Sequence, residues 1–420
     1  MFLYIVDSGL QPGDTSFASR TFNFLKVCKR WNQIAINFPR LWRWWVANAV
    51  KAWPLFHSRS KDVPISLTWR YRIQFPADFF LRNPGISERI HQLDIICTSL
   101  ILQIALGAFD PGFPSNVSSL RLWVASNDNR EPQGLLARFI SSPFPNLSQL
   151  DLSGFLPDTL SPIFTTSSLT SLKLSADMHM ENHYTLPQFS RVLQQHPNLQ
   201  ELHLDFAAIP LPGPPNTSVP FTLPRLVTLR LFGFWSAISD FIDLIGLSSP
   251  LHDVVIHFCR DPTSTVPSLT ETAKKIIVGY YECRGLNYPR KVNCFTISYN
   301  LDGEQDDLIL KARSHSAPTP NPSSNLELQF DGMSEHGGEV IVKKAFPLFP
   351  LGDVREFVGK GPPIYARQHN LQMFREMIHL SHLRLERQNI FPALLALSPG
   401  NLDSFKTATK TLSIYLRTHS

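Results

Sequence analysis

Cysteine is scarce in this chain. Its five copies, Cys28, Cys97, Cys259, Cys283 and Cys294, are odd in number and irregularly spaced. That excludes a disulfide framework and fits a reducing, intracellular setting, cytoplasmic or nuclear. Long apolar runs are missing as well. The most apolar stretch, Leu93 to Phe109, is broken by Asp94, Thr98, Ser99 and Gln103, whereas a membrane span needs roughly 20 apolar residues. Met1 to Val6 is apolar but lacks a basic lead and meets Asp7 at once, so no signal peptide and no membrane partner are expected. The sequons at Asn116, Asn146 and Asn216 are therefore expected to stay unmodified.

The marks of catalysis are absent too. No glycine-rich phosphate loop, nucleophile elbow or paired-cysteine zinc pattern occurs. His179 and His183 flank Glu181, but not at the spacing of a zinc protease. His257, Cys259, Cys283 and Cys294 match no zinc spacing and read as buried structural groups. The expectation is a non-enzyme with no catalytic residue, no metal and no cofactor.

Charge is low at 17%, but hydrophobic residues reach 43%, enough for a sizeable core. The 34 prolines imply many short elements with frequent stops. The net charge of +5 is uneven: residues 1–72 carry +8 and the remainder −3. A basic head on a near-neutral body suits an acidic partner.

Within residues 22–56, Phe22, Leu25, Val27, Cys28, Trp31, Ile34 and Ala35 recur at helical spacing, with Lys26, Lys29, Arg30 and Asn32 between them. Pro39 stops that helix or starts the next. Leu41, Trp42, Trp44, Trp45 and Val46 form a second apolar cluster, and four of the eight tryptophans lie between positions 31 and 45.

The run Val27-Cys28-Lys29-Arg30-Trp31, then Ile34-Ala35, then Pro39-Arg40-Leu41-Trp42 resembles the second half of an F-box, notably the F-box-like module of mushroom-type fungi. The family's usual Leu-Pro-x-Glu opening is lacking, and Met1-Phe2-Leu3-Tyr4-Ile5-Val6 reads as the tail of a truncated first helix. The resemblance implies docking on a Skp1-like adaptor, and through it a cullin. Adaptor contacts would fall on Phe2, Leu3, Ile5, Val27, Cys28, Trp31, Ile34, Ala35, Pro39, Leu41 and Trp42, as a helix-in-groove contact. The competing reading makes these residues the module's own core.

Beyond residue 85 a template recurs: apolar, two others, apolar, one other, apolar. It occurs at Ile90-Leu93-Ile95, Val117-Leu120-Leu122, Leu147-Leu150-Leu152, Leu169-Leu172-Leu174 and Leu199-Leu202-Leu204. It continues at Leu226-Leu229-Leu231, Leu251-Val254-Ile256, Val292-Phe295-Ile297 and Leu380-Leu383-Leu385. Pro145-Asn146-Leu147 and Pro197-Asn198-Leu199 repeat one entry turn. Phe189, Val192 and Leu193, and Ile238, Phe241, Ile242 and Ile245, fit return helices. Ser323-Leu326-Leu328 and Leu351-Val354-Glu356 are weaker copies. This pattern resembles a leucine-rich repeat.

The expected fold is α/β: a short helical F-box module over 1–56, a connector over 57–88, and an irregular solenoid over 89–400. Parallel strands would line the concave face, and helices and loops the convex face. Proline-rich insertions fall near 209–224 and 317–322, and residues 401–420 form a cap or frayed tail. The concave face would present Arg121, Trp123, Asp151, Lys173, His203, Asp205, Arg230, Phe232, Asp253 and His257, with Arg384 and Glu386 further on. Mixed charge with aromatics suits an unidentified protein target better than nucleic acid. The expected function is substrate recognition in a Skp1-cullin-F-box ubiquitin ligase. The alternative is a repeat scaffold whose degenerate F-box binds no adaptor.

Overall fold

A computed structural model describes residues 28–70, 76–83, 85–109, 116–124, 139, 144–165, 168–176, 184–206, 208–211, 220–245, 251–260, 265–281, 292, 294–301, 306–314, 324–331, 335–360, 374, 376–386 and 413–417. Phe2, Leu3, Ile5, Val27, the His179–His183 segment, Cys283, the proline-rich stretch 317–322, residues 212–219 of 209–224 and most of 401–420 lie outside them. The protein is α/β with mostly parallel strand pairing. It divides into two compact units, Met1–Asn182 with Arg191–Leu199, and His183–Ser190 with Gln200–Ser420. Among the described residues no helix is long and apolar enough to cross a membrane.

The first unit opens with α1 (Lys29–Ile36) and a 3₁₀ turn at Pro39–Arg43. The Trp42 indole donates to the Ala35 carbonyl at 2.8 Å, locking the turn onto the helix. The chain then departs from the expected all-helical module. Trp44–Val46 is a short strand, β1, followed by a 3₁₀ segment and α2 (Trp53–Ser60). β1 pairs in parallel with β2 (Ile65–Arg70), which lies in the presumed connector. The parallel pairing thus begins well ahead of residue 89. Helices α3 (Ala77–Arg82) and α4 (Gly85–Glu88) follow, then β3 (Ile90–Cys97), α5 (Ser99–Ala108), β4 (Ser119–Val124), β5 (Gln149–Ser153) and β6 (Ser171–Ala176). β1 to β6 pair in chain order, all parallel.

Aromatic rings join the N-terminal helices to the start of this sheet. Trp53 lies 5.5 Å from Trp45, 5.9 Å from Trp69 on β2 and 5.6 Å from Phe80. Phe80 in turn meets Phe109 at 5.1 Å. Such tilted and edge-on contacts satisfy the ring quadrupoles while burying large areas. The N-terminal helices therefore share one core with the strands.

Helix α6 (Leu186–Gln194) contributes residues to both units, and Phe189, Val192 and Leu193 on it are buried. The second unit contains β7 (Glu201–Phe206), β8 (Thr228–Phe234), α7 (Trp235–Ile245), β9 (Asp253–Cys259), α8 (Val266–Tyr281), β10 (Cys294–Leu301), β11 (Asp306–Ser314), β12 (Ser324–Phe330), α9 (Glu335–Ala345), β13 (Glu356–Lys360), β14 (His382–Glu386) and β15 (Ser413–Arg417). Ile238, Phe241, Ile242 and Ile245 are all buried on α7. The strand order is β7-β8-β9-β12-β11-β10-β13-β14-β15.

Here the expectation of parallel strands throughout needs correction. From β9 the chain crosses through α8 to β10, three places along the sheet. It steps back through antiparallel β11 to β12, which pairs in parallel with β9. α9 then carries it to β13 on the far side of β10. α8 and α9 pack against each other. β15 extends the pairing into the segment read as a tail.

All nine copies of the template lie at strands, and all 27 of their apolar positions are buried. The reason is the period-2 alternation of a strand: the second and third apolar residues share the core side. The first apolar residue closes an entry turn. Leu147, Leu199, Leu226 and Leu380 each donate their N–H to the carbonyl three residues back, at 3.0–3.1 Å. Proline before asparagine suits such a turn because proline presets φ at its second position.

Candidate interaction face and polar cluster

Alternation leaves the residues between the leucines on the opposite face. In the first unit strand pairing stacks them in rows. One row is Ser66, Gln92, Ser119, Gln149 and Ser171. The next is Thr68, Asp94, Arg121, Asp151 and Lys173, a ladder of alternating sign after the threonine. A third is Arg70, Ile96, Trp123, Ser153 and Ser175. Arg121 Nε stands 3.2 Å from Asp151 Oδ2, and its guanidinium lies over the Trp123 ring at 5.9 Å. Trp123 is 44% exposed, a large aromatic facing solvent on a sheet face.

Asp94 was not among the expected face residues. It occupies the slot between Leu93 and Ile95 that Arg121, Asp151 and Lys173 occupy in their own copies, so the template itself marks it. Its carboxylate is buried, and neither oxygen takes a hydrogen bond among the described residues. Burial raises its pKa to about 6; Arg121 and Arg70 oppose the rise, and Asp151 adds to it.

In the second unit Glu201, Thr228 and Asp253 form one row, His203, Arg230, Val255, Glu327 and Lys311 the next, and Asp205, Phe232, His257 and Gln329 the third. The equivalent of Arg230 on β9 is thus Val255, with Asp253 and His257 two residues to either side on the same face. Asp253 accepts from Arg230 Nη2 at 2.8 Å and from Asn325 Nδ2 at 3.1 Å. His203 Nε2 meets Asp205 Oδ1 at 2.7 Å. Lys311 pairs with Glu327 directly across β11 and β12. That pair went unanticipated because β11 carries no copy of the template. Arg384 is exposed on β14.

The far end of β9 gathers different chemistry. His257 and Cys259 project from the same face, and Asp331 follows β12 beside them. His257 Nε2 is hydrogen-bonded to Asp331 Oδ2, and Cys259 Sγ donates to the same oxygen at 3.7 Å. Gln329 Nε2 donates to Asp331 Oδ1 at 3.2 Å. Burial, then the Asp331 charge and its hydrogen bond, push the Cys259 thiol up to about 12. The Asp331 carboxyl is held below its usual range: burial opposes this, but the His257 and Gln329 hydrogen bonds prevail. Cys294 is buried at the start of β10 and joins no such cluster among the described residues.

At the N-terminal module the candidate contact residues divide. Ala35, Leu41 and Trp42 are buried in the module's own core, and Trp31 and Pro39 are half-buried. Cys28 is exposed, and Ile34 is 48% exposed. Comparison with models of known families, with curated proteins and with solved structures gave no match in any of the three.

Proposed function

We propose that this chain is a non-catalytic recognition subunit that holds a protein target on the polar face of its strands and an adaptor at its N-terminal helices. The fold behind this reading is an irregular leucine-rich-repeat solenoid, with a reduced F-box at its head. The observation that carries it is the ladder of paired charges along the strands, with Trp123 exposed among them and Phe232 half-buried. Opposite charges within about 3 Å neutralise one another in the free protein, and surface pairs of this kind are worth only about 0–1 kcal/mol. A partner of complementary pattern can exchange them at small cost, whereas a nucleic acid would need one dominant sign. Trp123 and Phe232 are the aromatic anchors such an interface favours.

The adaptor is of the Skp1 type, leading to a cullin-based ubiquitin ligase, and the adaptor contact falls on exposed Cys28 just before α1 and on half-buried Trp31 and exposed Ile34 along it. Ala35, Leu41 and Trp42 act indirectly, by holding α1 in place. The test is co-purification of the full chain with a Skp1 adaptor. Binding by the wild type, lost in Ile34→Glu with the fold intact, is the expected result. The alternative, a scaffold that binds no adaptor, is favoured by the burial of Ala35, Leu41 and Trp42, which leaves a small apolar patch on the described part of the module. A folded wild type that never retains the adaptor establishes the scaffold reading instead.

A further inference from the structure

We infer that His257, Cys259 and Asp331 form a binding site for one divalent transition-metal ion of the zinc class. The site is built by strand pairing. His257 and Cys259 are two residues apart on β9, so both project to the polar face. Asp331 comes from a distant part of the chain. The register that sets Gln329 beside His257 places Asp331 just past them, and the Asp331 N–H bonds the Phe258 carbonyl at 2.9 Å.

The three ligand atoms lie within 4.8 Å of one another. A tetrahedral zinc with bonds of about 2.3 Å to sulfur and about 2.1 Å to oxygen has a sulfur–oxygen edge of about 3.6 Å. Cys259 Sγ and Asp331 Oδ2 are 3.7 Å apart, which matches that edge; His257 Nε2 and Asp331 Oδ2 are hydrogen-bonded and closer than an edge, so a metal must replace that hydrogen bond and part the two. Imidazole, thiolate and carboxylate together suit zinc, cobalt or nickel; calcium and magnesium take all-oxygen sets.

The surroundings support the ligands. Gln329 holds Asp331 Oδ1, leaving Oδ2 toward the cluster. The Phe232 ring meets His257 edge-on at 4.0 Å and limits its rotation. Such outer contacts orient metal ligands. Asp307 approaches the cluster too and hydrogen-bonds Asp331. Without a metal the thiol keeps its proton. A dication in the cluster displaces that proton and takes the thiolate. Three protein ligands leave a fourth position for water or for a donor from a bound partner. The site stands independently of the adaptor and target assignments.

The test uses the full chain, reduced, freed of metal with a chelator and titrated with Co²⁺. Expected is saturation at one equivalent, with a thiolate-to-cobalt charge-transfer band and displacement by Zn²⁺. Cys259→Ser abolishes the band and Cys294→Ser leaves it intact. His257→Ala and Asp331→Asn each weaken cobalt binding by roughly tenfold or more, and they carry the test if Cys259→Ser does not fold. A folded wild type with no saturable cobalt, or a band that survives Cys259→Ser, overturns the assignment; the cluster is then an ordinary His–Asp hydrogen bond beside a half-buried thiol.

Discussion

The two units use one strand template and reach different ends. In the first, each strand lies beside its predecessor, so the residue between the leucines of one copy meets its counterpart in the next. The result is a ladder in which Asp94, Arg121, Asp151 and Lys173 alternate in sign. In the second, the chain crosses past two strand positions and returns through an antiparallel strand. Sequence neighbours cease to be spatial neighbours, and β12 arrives beside β9. That reversal is what sets Asp331 against His257 and Cys259. Regular stacking makes an extended ion-paired face; one reversal in it makes a local cluster of ligating side chains.

The largest test of this contrast is at Gly154. The first unit's unbroken stacking forces the chain past Val124 at the exit of β5, where Gly154 adopts φ +84° and its N–H donates to the Ser175 carbonyl at 2.9 Å. An added Cβ would stand 2.1 Å from the Val124 carbonyl oxygen. Gly154→Ala therefore meets both backbone strain and a backbone clash, and a loss on the order of 4 kcal/mol is expected in urea unfolding. Gly352 in the second unit has nothing within 4 Å of its would-be Cβ. Gly352→Ala serves as the control, with a change within about 0.5 kcal/mol. Equal effects at the two sites would break the comparison.

Next come the core leucines. Leu152 on β5 and Leu328 on β12 are both fully buried. Each substitution by alanine is expected to cost about 2–5 kcal/mol. Similar costs mean that the inserted strands are packed as well as the regular ones. A Leu328→Ala cost under about 1 kcal/mol would show β12 to be an appendage.

Asp94 sharpens the electrostatic side. Its native pKa is raised, so between roughly pH 4 and 6 the folded state holds a proton that the unfolded chain releases. Its contribution favours folding at low pH and is lost as pH rises through about 6. Asp94→Asn keeps a neutral side chain throughout. It is expected to stabilise the protein at pH 7.5 by on the order of 2 kcal/mol and to give little gain at pH 4. Urea midpoints at the two pH values decide it; a uniform loss at both would mean that Arg121 depends on the charge more than burial opposes it.

These contrasts also explain what could be read from the residues alone. A parallel strand buried on one side must alternate and must be entered by a turn, so the nine copies and the return helices at Phe189 and Ile238 were visible. β2 also alternates, with Ile65, Leu67 and Trp69 buried, but a bulge between Ile65 and Ser66 sets Ile65, the partner of Ile90, two residues before Leu67 where the template has three. β1 is three residues within a tryptophan-rich run that reads equally well as helix. β11 alternates through Leu308, Leu310 and Ala312, yet nothing local encodes that it runs backwards. Asp94 was available from the template's slot. Asp331 was not, because its place depends on which strand β12 lands beside, and no spacing in the chain states that.

The smallest effect separates the polar face from the core beneath it. Arg230 is about half exposed and bonds Asp253, a pair open to solvent and salt. Its removal should change stability by no more than about 1 kcal/mol. The analogous Arg121→Ala also takes a guanidinium from beside the buried Asp94, which raises the cost of ionising that carboxylate. Arg121→Ala is therefore expected to lose more stability than Arg230→Ala at pH 7.5, and the gap should close at pH 4, where Asp94 is protonated. Paired urea titrations at both pH values measure this. A gap that persists at pH 4 would assign the Arg121 effect to its packing over Trp123, and the first unit's ladder would then be held by contact area more than by charge.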